Sequence, residues 1–171
     1  MKNLEQIRAA NALAYAESDA KKTNSDGGNV VKKLPALLMT NGLLAAAAFA
    51  YQKQEDEVNR QRKAFAKRAG KPPTVQDEAK FEDNGFYTCF DFLVRHLEDD
   101  CIKLIPRGFV PKSSSGQKLA QLDVLLGFAT GNEADSETIK LMTDEALAWL
   151  AFARRFIRKD SDSGGDDDSA D

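Results

Sequence analysis

The stretch that most constrains this chain runs from Leu34 to Tyr51, where the only polar side chains are Thr40 and Asn41. Lys32 and Lys33 lead into it, and Pro35 stands where a first helical turn would begin, a place that tolerates proline. A helix that is apolar all round belongs inside a protein or inside a bilayer. A bilayer span needs about 20 predominantly apolar residues. This run is shorter, is rich in alanine, and carries Pro35, Asn41 and Gly42. It therefore reads as the central helix of a soluble bundle. Its four consecutive alanines, Ala45 to Ala48, favour helix and let neighbouring helices approach closely.

The other segments repeat the helical period. Leu4, Ile7, Ala10, Asn11 and Ala14 outline a helix over residues 3–22, followed by a Gly-rich connection over 23–29. Gln52 to Arg68 is strongly charged, with acids first and bases last. It either continues the central helix into solvent or turns to form a separate surface helix. Gly70 and Pro72-Pro73 end it. Thr74 and Asp77 form a capping box for a short helix reaching Phe81. Phe86, Phe90, Leu93, Leu97, Cys101 and Leu104 make one stripe on a helix over 86–105, stopped by Pro106. Ser114 with Gln117 caps a helix ending at Thr130, and Ser136 caps a last helix. Its stripe is Ile139, Met142, Ala146, Trp149, Leu150, Ala153, Phe156 and Ile157, widened by Leu141, Ala148 and Phe152. No segment alternates with period two. The fold class is all-α, a single-domain bundle of about five to seven helices over residues 1–159.

Residues 160–171 hold six aspartates and no base, and read as a disordered acidic tail. They conceal the charge of the body. The whole chain is −3, but without those six, 21 acidic residues face 24 Lys and Arg, so the body is about +3. That asymmetry permits an anionic partner for the body.

Chemistry has few places to reside. One His and two Cys cannot assemble a usual zinc site. On one helix Cys89 and Cys101 stand about 18 Å apart, at about 1.5 Å per residue, too far for a disulfide. They read as free, buried thiols of a reducing cytoplasm. Glu98, Asp99 and Asp100 fan out by about 100° each on a helix and cannot converge on one ion. His96 reads as a surface or boundary residue at the edge of the Cys101 stripe, and Ser113 to Ser115 as a capping loop. Asn41 is either a buried interhelical hydrogen bonder or a contact with a partner subunit or a nucleic-acid backbone at Gly42. The segment from Arg60 to Lys71 is either a solvated helix face or a stripe facing nucleic acid.

Three passages resemble the small subunit, the fifth Cmr subunit, of type III-B CRISPR–Cas (Cmr) effector complexes. They are Leu4 to Leu13, Lys33 to Phe49 with its Leu-Pro and Asn-Gly-Leu elements, and Thr143 to Ala153. The segment 53–73 is more charged than the family's pattern, and the tail lies outside it. The resemblance implies an all-α protein with no catalytic site of its own; no metal or cofactor is expected, and the expected location is cytoplasmic. It implies stacking of copies along the complex, against the backbone and large subunits. It also implies a place in the basic channel that holds the guide–target RNA duplex, with target cleavage and polymerase chemistry in other subunits. Cations that hold a phosphate backbone without reading bases suit that place. Lys32, Lys33, Arg154, Arg155 and Arg158 are the favoured RNA contacts, the lysine pair being helped by the dipole of a helix starting beside it. Lys21, Lys22, Asn41, Arg60, Lys63 and Lys67 are further candidates for RNA or subunit contact. The competing reading is a helical scaffold or adaptor that binds only protein.

Overall fold

Side-chain caps and glycines set most of the helix boundaries in the computed structural model, which describes residues 3–18, 27–111 and 121–159. Helix α1 (Leu4–Glu17) starts at Asn3. The Asn3 side chain accepts from Gln6 N–H at 2.8 Å, and the Gln6 side chain accepts from Asn3 N–H at 3.0 Å. The helix stops at Ser18 in extended conformation, short of the expected residue 22. Its buried face is Ile7, Ala12, Tyr15 and Ala16, not the expected stripe, because Leu4, Ala10 and Ala14 are exposed.

Helix α2 (Gly27–Ala69) begins within the expected connection. Pro35 therefore lies inside the helix rather than at its first turn. At Gly42 the backbone leaves helical geometry, with φ 79° and ψ 171°, and α2 bends into two arms, 27–41 and 43–69. That region of backbone space is essentially restricted to glycine. Nothing lies within 4 Å of a Cβ built there, so backbone conformation and not crowding selects the residue. The expectation of burial all round does not hold. Val30, Val31, Leu34, Leu38, Leu43, Ala46, Ala47 and Ala50 are buried on one side, while Ala36, Met39, Thr40, Asn41, Ala45 and Ala48 face outward. By length and hydropathy the segment Val30–Ala69 could cross a membrane. The break at Gly42 leaves only residues 30–41 before it, about 18 Å of helix against a hydrocarbon core of about 30 Å.

The charged stretch after Tyr51 continues α2 as one of its two expected courses. It ends at Gly70, with φ 68° and its N–H on the Ala66 carbonyl at 2.9 Å. One side of this arm anchors the returning chain. Gln54 binds Asp83 and the Asn84 N–H, both at 2.6 Å, and Gln61 binds both backbone groups of Glu82 at 2.8 and 3.0 Å. Arg62 grips Glu78 through Nε at 2.6 Å and Nη2 at 2.8 Å. The Thr74–Asp77 capping box is present and opens α3 (Val75–Glu78), which is shorter than expected.

Helix α4 (Gly85–Leu97) is capped by Asn84 and ends eight residues before the expected Ile105. Asp99 explains the stop. Its Oδ1 accepts from Cys101 N–H at 2.9 Å, and its carbonyl accepts from Ile102 and Lys103. Lys103 takes φ 51°, and the Leu104 and Ile105 N–H groups both return to the Leu97 carbonyl. The turn buries Ile105 and leaves Cys101 exposed, so the expected stripe breaks after Leu97 and only Cys89 is a core thiol. Burial pushes the Cys89 thiol up to about 12.

Helix α5 (Gln121–Thr130) buries Leu122, Val124, Leu125, Phe128 and Ala129. The expected cap at Ser114 lies outside the described residues. Helix α6 (Ser136–Lys159) is capped by Asp135 rather than Ser136. The Asp135 carboxylate accepts from Thr138 N–H at 2.7 Å, which holds its pKa below the usual range. Met142, Ala146, Trp149, Leu150 and Ala153 are fully buried, whereas Leu141 is half exposed and does not widen the core face. α2 packs on both α4 and α6, and α1 packs chiefly on α6. One core cluster joins α1, α2, α4, α5 and α6. Among the described residues the architecture is an all-α single domain of six helices with no strand. The expected acidic tail, 160–171, lies outside them.

Candidate functional site

The cations proposed from sequence fall on separate parts of the surface. Lys32 and Lys33 are exposed on the first arm of α2, between the buried Val31 and Leu34. Because the helix starts at Gly27, its unpaired N–H groups precede Lys32 by more than a residue, and the expected help from a helix start beside the lysines is absent. Arg154 and Arg155 are exposed near the end of α6, with the Arg155 guanidinium 5.6 Å from the centre of the Phe152 ring. The side chain of Arg158 and the whole of Lys21 and Lys22 lie outside the described residues.

The charged arm of α2 is less available than its composition suggests. Arg60 is committed to Glu57 through two hydrogen bonds, at 3.0 and 2.6 Å, and holds that carboxyl below its usual range. Arg62 is engaged by Glu78. Lys63 and Lys67 are exposed and form no ion pair among the described residues. Lys63 lies up to about 45 Å along α2 from Lys33, at about 1.5 Å per residue. One phosphate backbone reaching both would have to track the length of the helix.

Asn41 is exposed at the bend, so burial does not require it to bond a neighbouring helix. It lines an open apolar groove of about 320 Å³ with Lys33, Ala36, Leu37, Thr40, Phe49 and Phe86. The Phe49 and Phe86 rings meet edge to face at 5.2 Å, and Lys53 Nζ stands 5.4 Å from the Phe49 centroid. Met39, on the same arm of α2, is 75% exposed. Large apolar side chains left in water at a bend, with cations around them, suit contact with another macromolecule.

His96 contradicts its expected surface position. It is 1% exposed. Its Nε2 lies 2.9 Å from Glu145 Oε1 and its Nδ1 3.0 Å from Asn11 Nδ2. Glu145 also accepts from Arg8, through Nε at 2.7 Å and through Nη2. Burial pushes Glu145 up, but the bonds from Arg8 and His96 outweigh it and hold the carboxyl below its usual range. Burial pushes His96 down despite Glu145. Sequence reasoning missed this junction. The available signal was a carboxylate directly before Ala146 in the buried stripe of α6, which demands a partner. Among the described residues no group of three or more His, Cys, Asp or Glu side chains is placed to hold a metal.

A family model described as CRISPR-associated protein (Cas_Cmr5) matches residues 4–72, which comprise α1, both arms of α2 and the turn after them. The match includes Lys32, Lys33, the groove face of α2 and the charged arm; the passage Thr143 to Ala153 lies beyond it. No curated protein and no solved structure matches the chain. The matched helices are those whose bend, groove and exposed cations have just been described, and over residues 4–72 this chain is similar to the CRISPR-associated Cmr5 family.

Proposed function

We propose that this subunit positions RNA within a Cmr complex without catalysing a reaction. The observation that carries the reading is the first arm of α2, where Lys32 and Lys33 stand exposed and Lys33 lines the open groove that reaches the bend. Exposed lysines bind a phosphate backbone irrespective of sequence, as a guide–target duplex of any sequence requires. Arg154 and Arg155 add charge on α6, which packs against α2. The groove itself is mainly apolar and suits a neighbouring protein subunit, so one face of α2 serves both contacts. A non-catalytic role is supported by His96, whose two ring nitrogens are both engaged inside the bundle. The groove also favours a second reading, a scaffold that touches only protein.

Photo-crosslinking in the assembled complex, loaded with guide and target RNA, separates the two readings. The expected result is RNA-linked peptides from this chain that contain Lys32 and Lys33 or Arg154 and Arg155. If crosslinks reach other subunits and never this one, the scaffold reading replaces the first.

A further inference from the structure

The buried junction fixes where its protons sit. Asn11 Nδ2 lies 3.2 Å from Asp99 Oδ2 and 3.0 Å from His96 Nδ1. A carboxylate only accepts, so the Asn11 atom facing Asp99 is the amide nitrogen. The same amide donates to His96 Nδ1, which must therefore carry no proton. The ring proton is on Nε2 and is donated to Glu145 Oε1 at 2.9 Å. Trp149 covers the ring at 6.1 Å between centroids and 27° between planes. Each position is filled, but only for a neutral imidazole.

A second proton has nowhere favourable to go. On Nδ1 it would point at the Asn11 amide, donor against donor. Asn11 cannot turn its oxygen inward without turning it on the Asp99 carboxylate. The groups facing the ring are Arg8 and Asn11 from α1, Glu145 from α6, and Asp99 from the turn after α4. Glu145 and Asp99 favour a charged ring. Arg8 opposes it and already engages the Glu145 carboxylate from the other side. The junction lies where α1 meets the rest of the bundle, and α1 has just four buried residues. Elements with little buried surface open first.

We propose that Asn11, His96 and Glu145 form a proton-sensitive latch: one proton added at His96 Nδ1 breaks its bond from Asn11 and loosens α1 from α4 and α6. The sign follows from linkage. Docked His96 is neutral, with its pKa below the ordinary 6.5, so undocked His96 binds the proton more readily. Docking is at full strength above pH 6.5 and weakens as pH falls through it. Glu145 is held below the usual carboxyl range and titrates in stronger acid. His96 is the only histidine in the chain, so the change between pH 7.5 and 5.5 is assigned to one ring. Opening α1 uncovers Trp149 and Phe92, whose rings lie 5.6 and 5.3 Å from Tyr15.

Hydrogen exchange on the full-length chain tests the latch. After correction for intrinsic exchange, opening of α1 should rise between pH 7.5 and 5.5 by as much as about tenfold, the limit over this range for one proton at the ordinary pKa of 6.5, with α4 and α6 unchanged. His96→Gln offers an amide N–H to Glu145 and an oxygen to Asn11 but does not titrate, so its α1 opening should be independent of pH. An acid response in His96→Gln equal to that of the wild type overturns the proposal, as does loss of protection in all helices together. The wild-type imidazole nitrogens supply a second readout by NMR should the variant fail to fold. The latch requires the Nε2–H tautomer and titration below 6.5; the other tautomer, or titration at or above 6.5, overturns it.

Discussion

Glu145→Ala is expected to destabilise the chain by about 3–5 kcal/mol, the range for removing one partner of a buried ion pair. Glu145 is 8% exposed and accepts three hydrogen bonds, two from Arg8 and one from His96. Its loss leaves the His96 Nε2–H without an acceptor in a ring that has almost no contact with water. It also leaves a guanidinium held against apolar surface. The side chain of Arg8 is 20% exposed and can swing partly into solvent, which places the effect toward the lower end of the range. Glu145→Gln keeps an oxygen for His96 while losing the charge that holds Arg8, and should fall between alanine and wild type. Urea unfolding of each variant measures this, with an unchanged denaturant slope. A loss for alanine below about 1 kcal/mol would mean that the junction holds nothing together.

Trp149→Ala is the second large effect, expected at about 3–5 kcal/mol. Trp149 is fully buried and joins three elements, touching Tyr15 of α1 and stacking on His96 of α4 from its place in α6. Alanine there opens a cavity bounded by rigid aromatic rings, which cannot collapse to fill it. Trp149→Phe isolates the contribution of packing. The indole N–H has no hydrogen-bond partner among the described residues, so phenylalanine forfeits no hydrogen bond and should lose less than half as much as alanine. Thermal or urea unfolding of the two variants side by side gives the comparison. Equal losses would show that the indole edge makes a polar contact essential to the core.

The helices could be read from sequence where packing and local chemistry agree. The α6 stripe is one case, since Met142, Ala146, Trp149 and Ala153 recur at spacings of three and four and are all buried. The Thr74–Asp77 box and the stop at Gly70 are others. Errors arose where a side chain competed with the pattern. Cys101 and Leu104 prolong the stripe of α4 on paper, but Asp99 captures the backbone and turns it. Gly27 and Gly28 resemble a connection, yet α2 has already begun there. The apolar run of α2 suggested burial on every side, because composition does not reveal which face a neighbour covers. The buried junction was out of reach for a different reason. Arg8 and Glu145 are separated by 137 positions, and His96 and Glu145 by 49. No local period links them. The cationic candidates could be found by residue type, but their separation along α2 and the engagement of Arg60 and Arg62 by carboxylates appear only in three dimensions.

The most direct test of RNA positioning is the salt dependence of RNA binding by the assembled complex. It would carry either the wild-type chain or the Lys32→Glu, Lys33→Glu, Arg154→Glu, Arg155→Glu variant. Each phosphate contact contributes about 0.7–0.9 to the slope of log affinity against log salt. With the complex intact, the variant should bind more weakly and its slope should be shallower by as much as about 3. An intact complex with an unchanged slope would contradict the account.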